Sequence, residues 1–406
     1  MAESKKRVYS RKTETADTGS SMFYFDYAAA TPVDPEVFSA MLPFFSQKFA
    51  NPASLYQIAR EANLALESAR KTMAKLLKIN SGKIIFTGSA TESNNLALKG
   101  VASANRGKGS HLIVSAIEHD CVLSSAAWLG QEGFRITYLP VDRFGLINLK
   151  QLAKAITKDT ILVSIMHANN EIGTIEPIKE IGALCRQKSV LFHTDAAQSF
   201  GKIPVDVAGM NIDMLTASSH KIYGPKGAAL LYLSDSVEIE PIIHGGGQEF
   251  GLRSSTVNVP AIVGFAKAAE ICFRKRVTEG KRLSRLRDKL IEGVLNRVPD
   301  SYLNGDVKKR LPNNVNFRFD FIEGESIVLR LDALGVAAST GSACSSPKLE
   351  PSHVLLALGL NHGQAHGSLR LTLGRWTDER EVDYLLKVLP KVIKDLREIS
   401  PFKNKR

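Results

Sequence analysis

From residue 84 onward, short apolar runs alternate with longer stretches whose apolar residues recur at helical spacing. IIFTG (84–88) precedes a helix over 91–103, HLIVS (111–115) one from about 120, and ITYLP (136–140) one over 149–156. ILVSIMHA (161–168) leads into a helix over 178–188, and VLFHTDA (190–196), MLTASS (214–219) and AALLYL (228–233) complete the series. Runs this short and this apolar read as strands buried on both faces. Their alternation with helices predicts an α/β fold around a large, mostly parallel, seven-stranded sheet. Ahead of it, FYFDY (23–27) reads as a short strand, AAATPVDPEV turns into a helix, and Asn51-Pro52-Ala53-Ser54 interrupts before apolar spacing resumes over 58–77.

Past the Gly-rich stretch 244–256 the pattern changes. A long helical stretch covers 260–297, followed by strand 314–319, helix 324–334, strand 336–340, helix 352–358, strand 369–374 and helix 378–396. This predicts a second, smaller α/β unit. The expected division is a disordered arm over 1–21, a segment over 22–35 that packs with the smaller domain, a large domain over 36–258 and a small domain over 259–406.

A chain of 406 residues with 44% hydrophobic content and a mean hydropathy of −0.07 suits two globular domains. No apolar run approaches the roughly 20 residues of a membrane span. The first 21 residues are polar, carry Glu3, Glu14 and Asp17, and have neither the apolar core of a secretory signal nor a transit-peptide composition. Cys121, Cys185, Cys272 and Cys344 show no paired spacing, so neither a disulfide framework nor a zinc site is expected, and the expected location is cytoplasmic. The net charge is +12. Part of it lies in 267–289, with nine Lys/Arg against three acids at helical spacing and few aromatics. That reads as a solvated helix face or a docking face for an acidic protein, and nucleic acid is not an expected partner.

The chemistry gathers where strands end, the ligand-binding edge of such sheets. Asp195 closes one apolar run, with Gln198 three residues on, and the next run leads into Ser218, Ser219, His220 and Lys221 before Gly224, Pro225 and Gly227. A desolvated lysine amine attacks carbonyls and forms Schiff bases, and a nearby carboxylate suits a protonated pyridine nitrogen. Gly88-Ser89-Ala90-Thr91 opens a helix, a seat for phosphate or merely a cap. His119 either stacks on a ring or is a hydrogen-bonded core histidine. Asn170 sits in Asn169-Asn170-Glu171-Ile172-Gly173, where amides at a strand end suit a cofactor's ring hydroxyl or a substrate carboxylate, or simply form a turn. Arg370, alone among apolar residues, holds a carboxylate ligand or a structural acid. Cys344 lies in a run of small residues, TGSACSSP, and reads as exposed and mobile, whereas Cys121, Cys185 and Cys272 read as core fillers.

These stretches resemble the cysteine desulfurases, fold-type-I pyridoxal-phosphate enzymes of the class-V aminotransferase superfamily, and most of all the group serving iron–sulfur cluster assembly. The resemblance rests on DYAAATPVDP, NPAS, ATESNNLALKG, EHDCV, ILVSIMHANNEIGT, HTDAAQSFGK, SSHKIYGPKG, HGGGQE with RSST, YLNGD, EGES, TGSACSSPKLEPSHVL and LRLTLGR. It implies conversion of L-cysteine to L-alanine by a homodimer, with sulfur left as a persulfide for an acceptor protein, an iron–sulfur scaffold or a sulfur carrier. It implies that Lys221 carries the cofactor and moves protons, Asp195 pairs with the pyridine nitrogen, Gln198 meets the ring hydroxyl and His119 stacks on the ring. Ala90, Thr91, Ser218 and His220 would hold the phosphate, Thr256 would reach the neighbouring subunit's phosphate, Asn170 and Arg370 would hold the substrate, and Cys344 would carry the persulfide; no metal is implied. The sequence departs from the family's usual Ser-Gly-Ala at Gly88-Ser89-Ala90, and from its usual Gly at Ala50. It ends at Arg406 without the long tail used for scaffold docking, which leaves the acceptor open. Another class-V lyase or aminotransferase, or an adaptor that merely keeps the fold, are the competing readings.

Overall fold

The structure, a computed structural model, describes residues 22–79, 82–341 and 350–401. The expected arm over 1–21 and Cys344, within 342–349, lie outside the described residues. Each apolar run of the large unit forms a strand: β2 (Lys83–Thr87), β3 (His111–Ser115), β4 (Arg135–Leu139), β5 (Thr160–Ser164), β6 (Leu191–Asp195), β7 (Met214–Ser218) and β8 (Ala229–Leu233), after β1 (Phe23–Tyr24) at the start of the chain. These seven form one sheet in the order β2-β8-β7-β6-β5-β3-β4, in which only β8 runs antiparallel to its neighbours. β3, β5, β7 and β8 are buried at every position, as strands covered by helices on both faces must be. The run 161–168 leaves regular strand at Ser164, yet Ile165 and His167 still donate to the carbonyls of His193 and Asp195. That continuation carries the chain to Asn169 and Asn170 beside the end of β6.

The second unit holds β9 (Ser301–Leu303), β10 (Asn314–Phe319) and β12 (Ser368–Thr372) in an antiparallel sheet, order β12-β10-β9. β11 (Val336–Ala337) pairs in parallel with β1, so the first strand of the chain lies against the last third of it. The helix Val259–Arg297 serves both cores. Its first half puts Ala261, Phe265 and Ile271 among the large-unit core around Phe192 and Phe200, and its second half puts Leu286, Leu290 and Val294 against Phe317 and Leu389. A 39-residue helix is roughly 58 Å long at 1.5 Å per residue, long enough to span two domains.

Candidate active site

Because β5, β6 and β7 are parallel neighbours, their carboxyl ends open on one edge, and Asp195 stands level with Thr216, two residues before Ser218. A single 3₁₀ turn, Ser219–Lys221, follows β7 and brings Lys221 to that edge. Its Nζ donates to the carbonyls of Ala28 at 2.6 Å and Ala29 at 2.8 Å. The segment after β1 is pinned there in turn, since both the amide and the hydroxyl of Thr31 donate to the His220 carbonyl at 3.0 Å. Gln198 Nε2 donates to the same Ala28 carbonyl at 2.9 Å.

Asp195 is 5% exposed and is held by two neutral donors, the Ala197 amide at 2.8 Å and Asn94 Nδ2 at 2.7 Å. Among the described residues no cation forms an ion pair with it, which leaves room for one. His119 caps the helix Asp120–Gln131, its Nδ1 accepting the Cys121 amide at 3.2 Å. In the neutral ring this places the proton on Nε2. Cys121 differs from the core filler read in the sequence: it is half-buried beside the site, its Sγ 3.1 Å from Asn94 Nδ2 and 3.2 Å from His119 Nδ1.

Ser89 Oγ accepts the Glu92 amide at 3.1 Å and so caps the helix that begins at Ala90 and runs on through a π turn to Ala104. The amides of Ala90 and Thr91 precede the first bonds of that helix, where an anion is favoured. The serine hydroxyl of Gly88-Ser89-Ala90 is thus spent on the cap. Ser218 Oγ and His220 Nδ1 lie 2.9 Å apart. Burial, then the charges of Lys221 and Lys226, lower the His220 imidazole to about 4, so it is neutral at pH 7. Thr256 is exposed, and borders a cavity of about 150 Å³ with Gly88 and Arg253. The loop before it is tied down by buried Glu249, which Arg70 grips with two bonds of 2.8 Å. Ser255, at φ 136°, is strained into a conformation glycine prefers.

At the other end of the edge, Arg370 on β12 is fully buried. Its Nη2 donates to Asp26 Oδ1 at 2.9 Å and its Nη1 to the Asn170 carbonyl at 3.1 Å. The structural acid foreseen as one alternative is present as Asp26, and Arg370 Nε and Asn170 Oδ1 are in addition buried without hydrogen-bond partners. Burial raises the Asp26 carboxyl above its usual range, with Arg370 pulling it back.

The Aminotransferase class-V family profile matches residues 23–385. The chain belongs to the class-V aminotransferase family. It is 54% identical over 380 residues to the cysteine desulfurase IscS 1 of Archaeoglobus fulgidus, with 94% of this chain and 99% of that one covered. Among solved structures, a NifS-like protein is 39% identical with a TM-score of 0.87, over 92% of this chain and 100% of its own. A structure titled "SspA in complex with cysteine" is 40% identical with a TM-score of 0.77, over 88% and 100%. The chain therefore falls with the cysteine desulfurases of class V, which are pyridoxal-phosphate-dependent enzymes.

The residues of this class-V site fit that cofactor on their own geometry. Asp195 is a buried carboxyl group bound only by neutral donors among the described hydrogen bonds and suits a cation such as a pyridinium. Lys221 is an amine at the same edge, and the amides of Ala90 and Thr91 with neutral His220 offer an anion seat. Sequence reading gave no role to Asn94, Glu171 or Asp26, although it quoted each. Asn94 orients Asp195. Glu171 joins the two units: its carbonyl accepts Asn314 Nδ2 at 3.1 Å and Asn316 Nδ2 at 3.3 Å, and its Oε2 accepts Ser352 Oγ at 2.6 Å. Gly173 lets that loop approach, since φ is +74° and a side chain would strike Asn314. Gly341 and Ser352, on either side of the segment that contains Cys344, both abut the Glu171 carboxylate.

Proposed function

We propose that this chain converts L-cysteine to L-alanine and retains the sulfur on Cys344. The observation that carries the reading is a pair of orphaned buried polar groups, Arg370 Nε and Asn170 Oδ1, on two residues bonded to each other through the Asn170 carbonyl. Lys221 is held by the Ala28 and Ala29 carbonyls, close in sequence to Asp26, the acid partner of Arg370. Arg370 and Asn170 would bind the substrate carboxylate, with the Asn170 amide rotating to offer its NH₂. The cofactor, bound through Lys221, supplies an electron sink that acidifies the substrate's α-carbon. Lys221 would take and return the α-proton, and His119 would stack on the ring and assist proton transfer. Asp195 and Gln198 would hold the ring's nitrogen and oxygen, and Ala90, Thr91, Ser218 and His220 the phosphate. The Cys344 thiolate would attack the substrate sulfur: an S–S bond forms, the C–S bond breaks, and its electron pair returns to the substrate carbon, which takes a proton to give alanine.

The other thiols are poor nucleophiles. Burial pushes Cys121 and Cys185 up to about 12 and Cys272 up to about 11, so all three stay protonated at neutral pH. That supports Cys344 as the sulfur carrier, and three free thiols among the described residues fit a cytoplasmic setting. The division into a large domain over 36–258 and a small one over 259–406 is part of the same proposal, with the helix Val259–Arg297 shared between the cores.

A homodimer completes the reading. Phe45, Phe49, Leu55, Tyr56 and Leu64, close together in sequence, are all at least 56% exposed, the kind of apolar exposure that a partner subunit would cover. Phe250, also exposed, stacks on Arg70 and links this surface to the loop that ends in Thr256. Thr256 would thus reach a neighbour's phosphate. Phe49→Glu with Leu55→Glu is expected to sediment as a monomer and to lose its cofactor on gel filtration. A variant that is monomeric yet keeps cofactor and full activity would refute the shared site. The sulfur acceptor would be a separate protein, a scaffold or a carrier.

The reaction itself is tested by its carbon product. Cofactor-loaded protein given L-cysteine and a thiol reductant should release alanine and sulfide in equal amounts. Pyruvate with ammonia would mark a β-eliminating lyase, and mercaptopyruvate formed only with an added keto acid an aminotransferase; either result rejects the proposal.

A further inference from the structure

Lys202 has no place among these roles, yet it touches one of their holders. Its stem borders a surface groove with Arg276, Lys281 and Arg310, while its ammonium turns inward and donates to Gln198 Oε1 at 3.2 Å. The other end of the same amide, Gln198 Nε2, donates to the Ala28 carbonyl at 2.9 Å, the carbonyl that Lys221 Nζ also uses at 2.6 Å. A glutamine amide is nearly symmetric in shape, and only its partners decide which end presents oxygen and which NH₂. Here both ends are decided. An ammonium has only protons to give, and a carbonyl only lone pairs.

Lys202 and Lys221 also line one cavity of about 30 Å³, bordered by Cys272, Arg276 and Glu279. Among the described residues no carboxylate forms an ion pair with Lys202; its hydrogen-bond partner is neutral. Burial lowers it to about 7, with the charges of Lys221 and Arg370 adding to the fall and Cys272 opposing it, so the side chain is an ammonium below neutral pH and loses that charge above it. A group this poorly solvated, kept next to two other cations, is costly to retain for packing alone.

We infer that Lys202 is a positioning residue for the cofactor: it locks the Gln198 amide with its NH₂ toward the ring oxygen and sets a positive charge beside Lys221. The inference rests on the role proposed above for Gln198. Without Lys202 the Ala28 carbonyl alone holds the amide, so it turns more readily, and a carbonyl oxygen facing a ring oxygen repels where the NH₂ attracted. Losing that donor and losing the charge act in the same direction, since both stabilise the deprotonated chromophore. Lys202→Met should therefore raise the pH midpoint of the bound cofactor's absorbance by about one unit. It should also weaken cofactor retention by roughly tenfold, the loss of one hydrogen bond to a charged acceptor.

The experiment is a double-mutant cycle on absorbance titrations and cofactor dissociation constants for wild type, Lys202→Met, Gln198→Ala and the double variant, with Lys202→Arg as the conservative control. If Lys202 acts through Gln198, the double variant matches Gln198→Ala apart from the residual charge effect, and Lys202→Arg stays near wild type. A Lys202→Met protein with wild-type midpoint and affinity, beside a shifted Gln198→Ala, would overturn the inference alone. So would fully additive shifts, which would make the two residues independent. A wild-type protein with no cofactor band, or a Gln198→Ala protein that titrates like wild type, would overturn the proposed function's account of this site, and the inference with it.

Discussion

Lys221→Ala is expected to lower alanine formation from L-cysteine by at least about 10³-fold, because in the proposed mechanism one substitution removes both the cofactor's attachment and the proton carrier. The fold should survive. Lys221 leaves two backbone carbonyls, those of Ala28 and Ala29, which lie next to a solvent-reachable edge and lose one donor each. Two such hydrogen bonds are worth about 1–3 kcal/mol, a small part of the stability of a protein with two extensive cores. Borohydride reduction of cofactor-loaded wild type should fix the cofactor to the peptide bearing Lys221, as read by mass spectrometry, and leave the Lys221→Ala protein unlabelled. Label on Lys202 or Lys226 in wild type, or normal turnover by the variant, would show that a different lysine does the chemistry.

Cys344→Ala is the second large effect, and it divides the mechanism. In the proposed mechanism cofactor binding uses Lys221, Asp195 and the anion seat at Ala90 and Thr91, and the thiol enters only at the sulfur step. The variant should bind pyridoxal phosphate with wild-type affinity and still show a spectral change on addition of L-cysteine. Alanine release should nevertheless fall by about 10³-fold or more, as for the loss of an enzymic nucleophile. The described cysteines offer no substitute, since burial keeps their thiols protonated. Turnover of selenocysteine should survive better, because selenium leaves more readily without a nucleophile.

Much of the large unit was legible because its strands are short, wholly buried and spaced by helices, so that periodicity alone marks them. HLIVS and NVNFRF are strands at the very residues expected, His111–Ser115 and Asn314–Phe319. Strand order was not legible. Nothing in AALLYL says that it runs antiparallel between β2 and β7. The three-residue strand Ser301–Leu303 and the five-residue helix His362–His366 are too short to show a period. The placement of candidate residues was legible where they follow a strand end, as Asp195 and Lys221 do, and unreadable where it depends on distant chain. Arg370 and Asp26 are 344 residues apart, and only folding shows that β12 delivers one to the other. Cys121 misled for a related reason: its spacing suits a helix interior, but the helix that carries it starts at the cofactor edge, with His119 as its cap.

The most direct test of the central claim follows the sulfur atom. Cofactor-loaded protein is given one equivalent of L-cysteine labelled at sulfur, without reductant, and its peptides are examined by mass spectrometry while alanine is counted. One labelled sulfur on Cys344 for each alanine released is the predicted result. Alanine without any added sulfur on Cys344, or with the sulfur on Cys121, Cys185 or Cys272 instead, would contradict it.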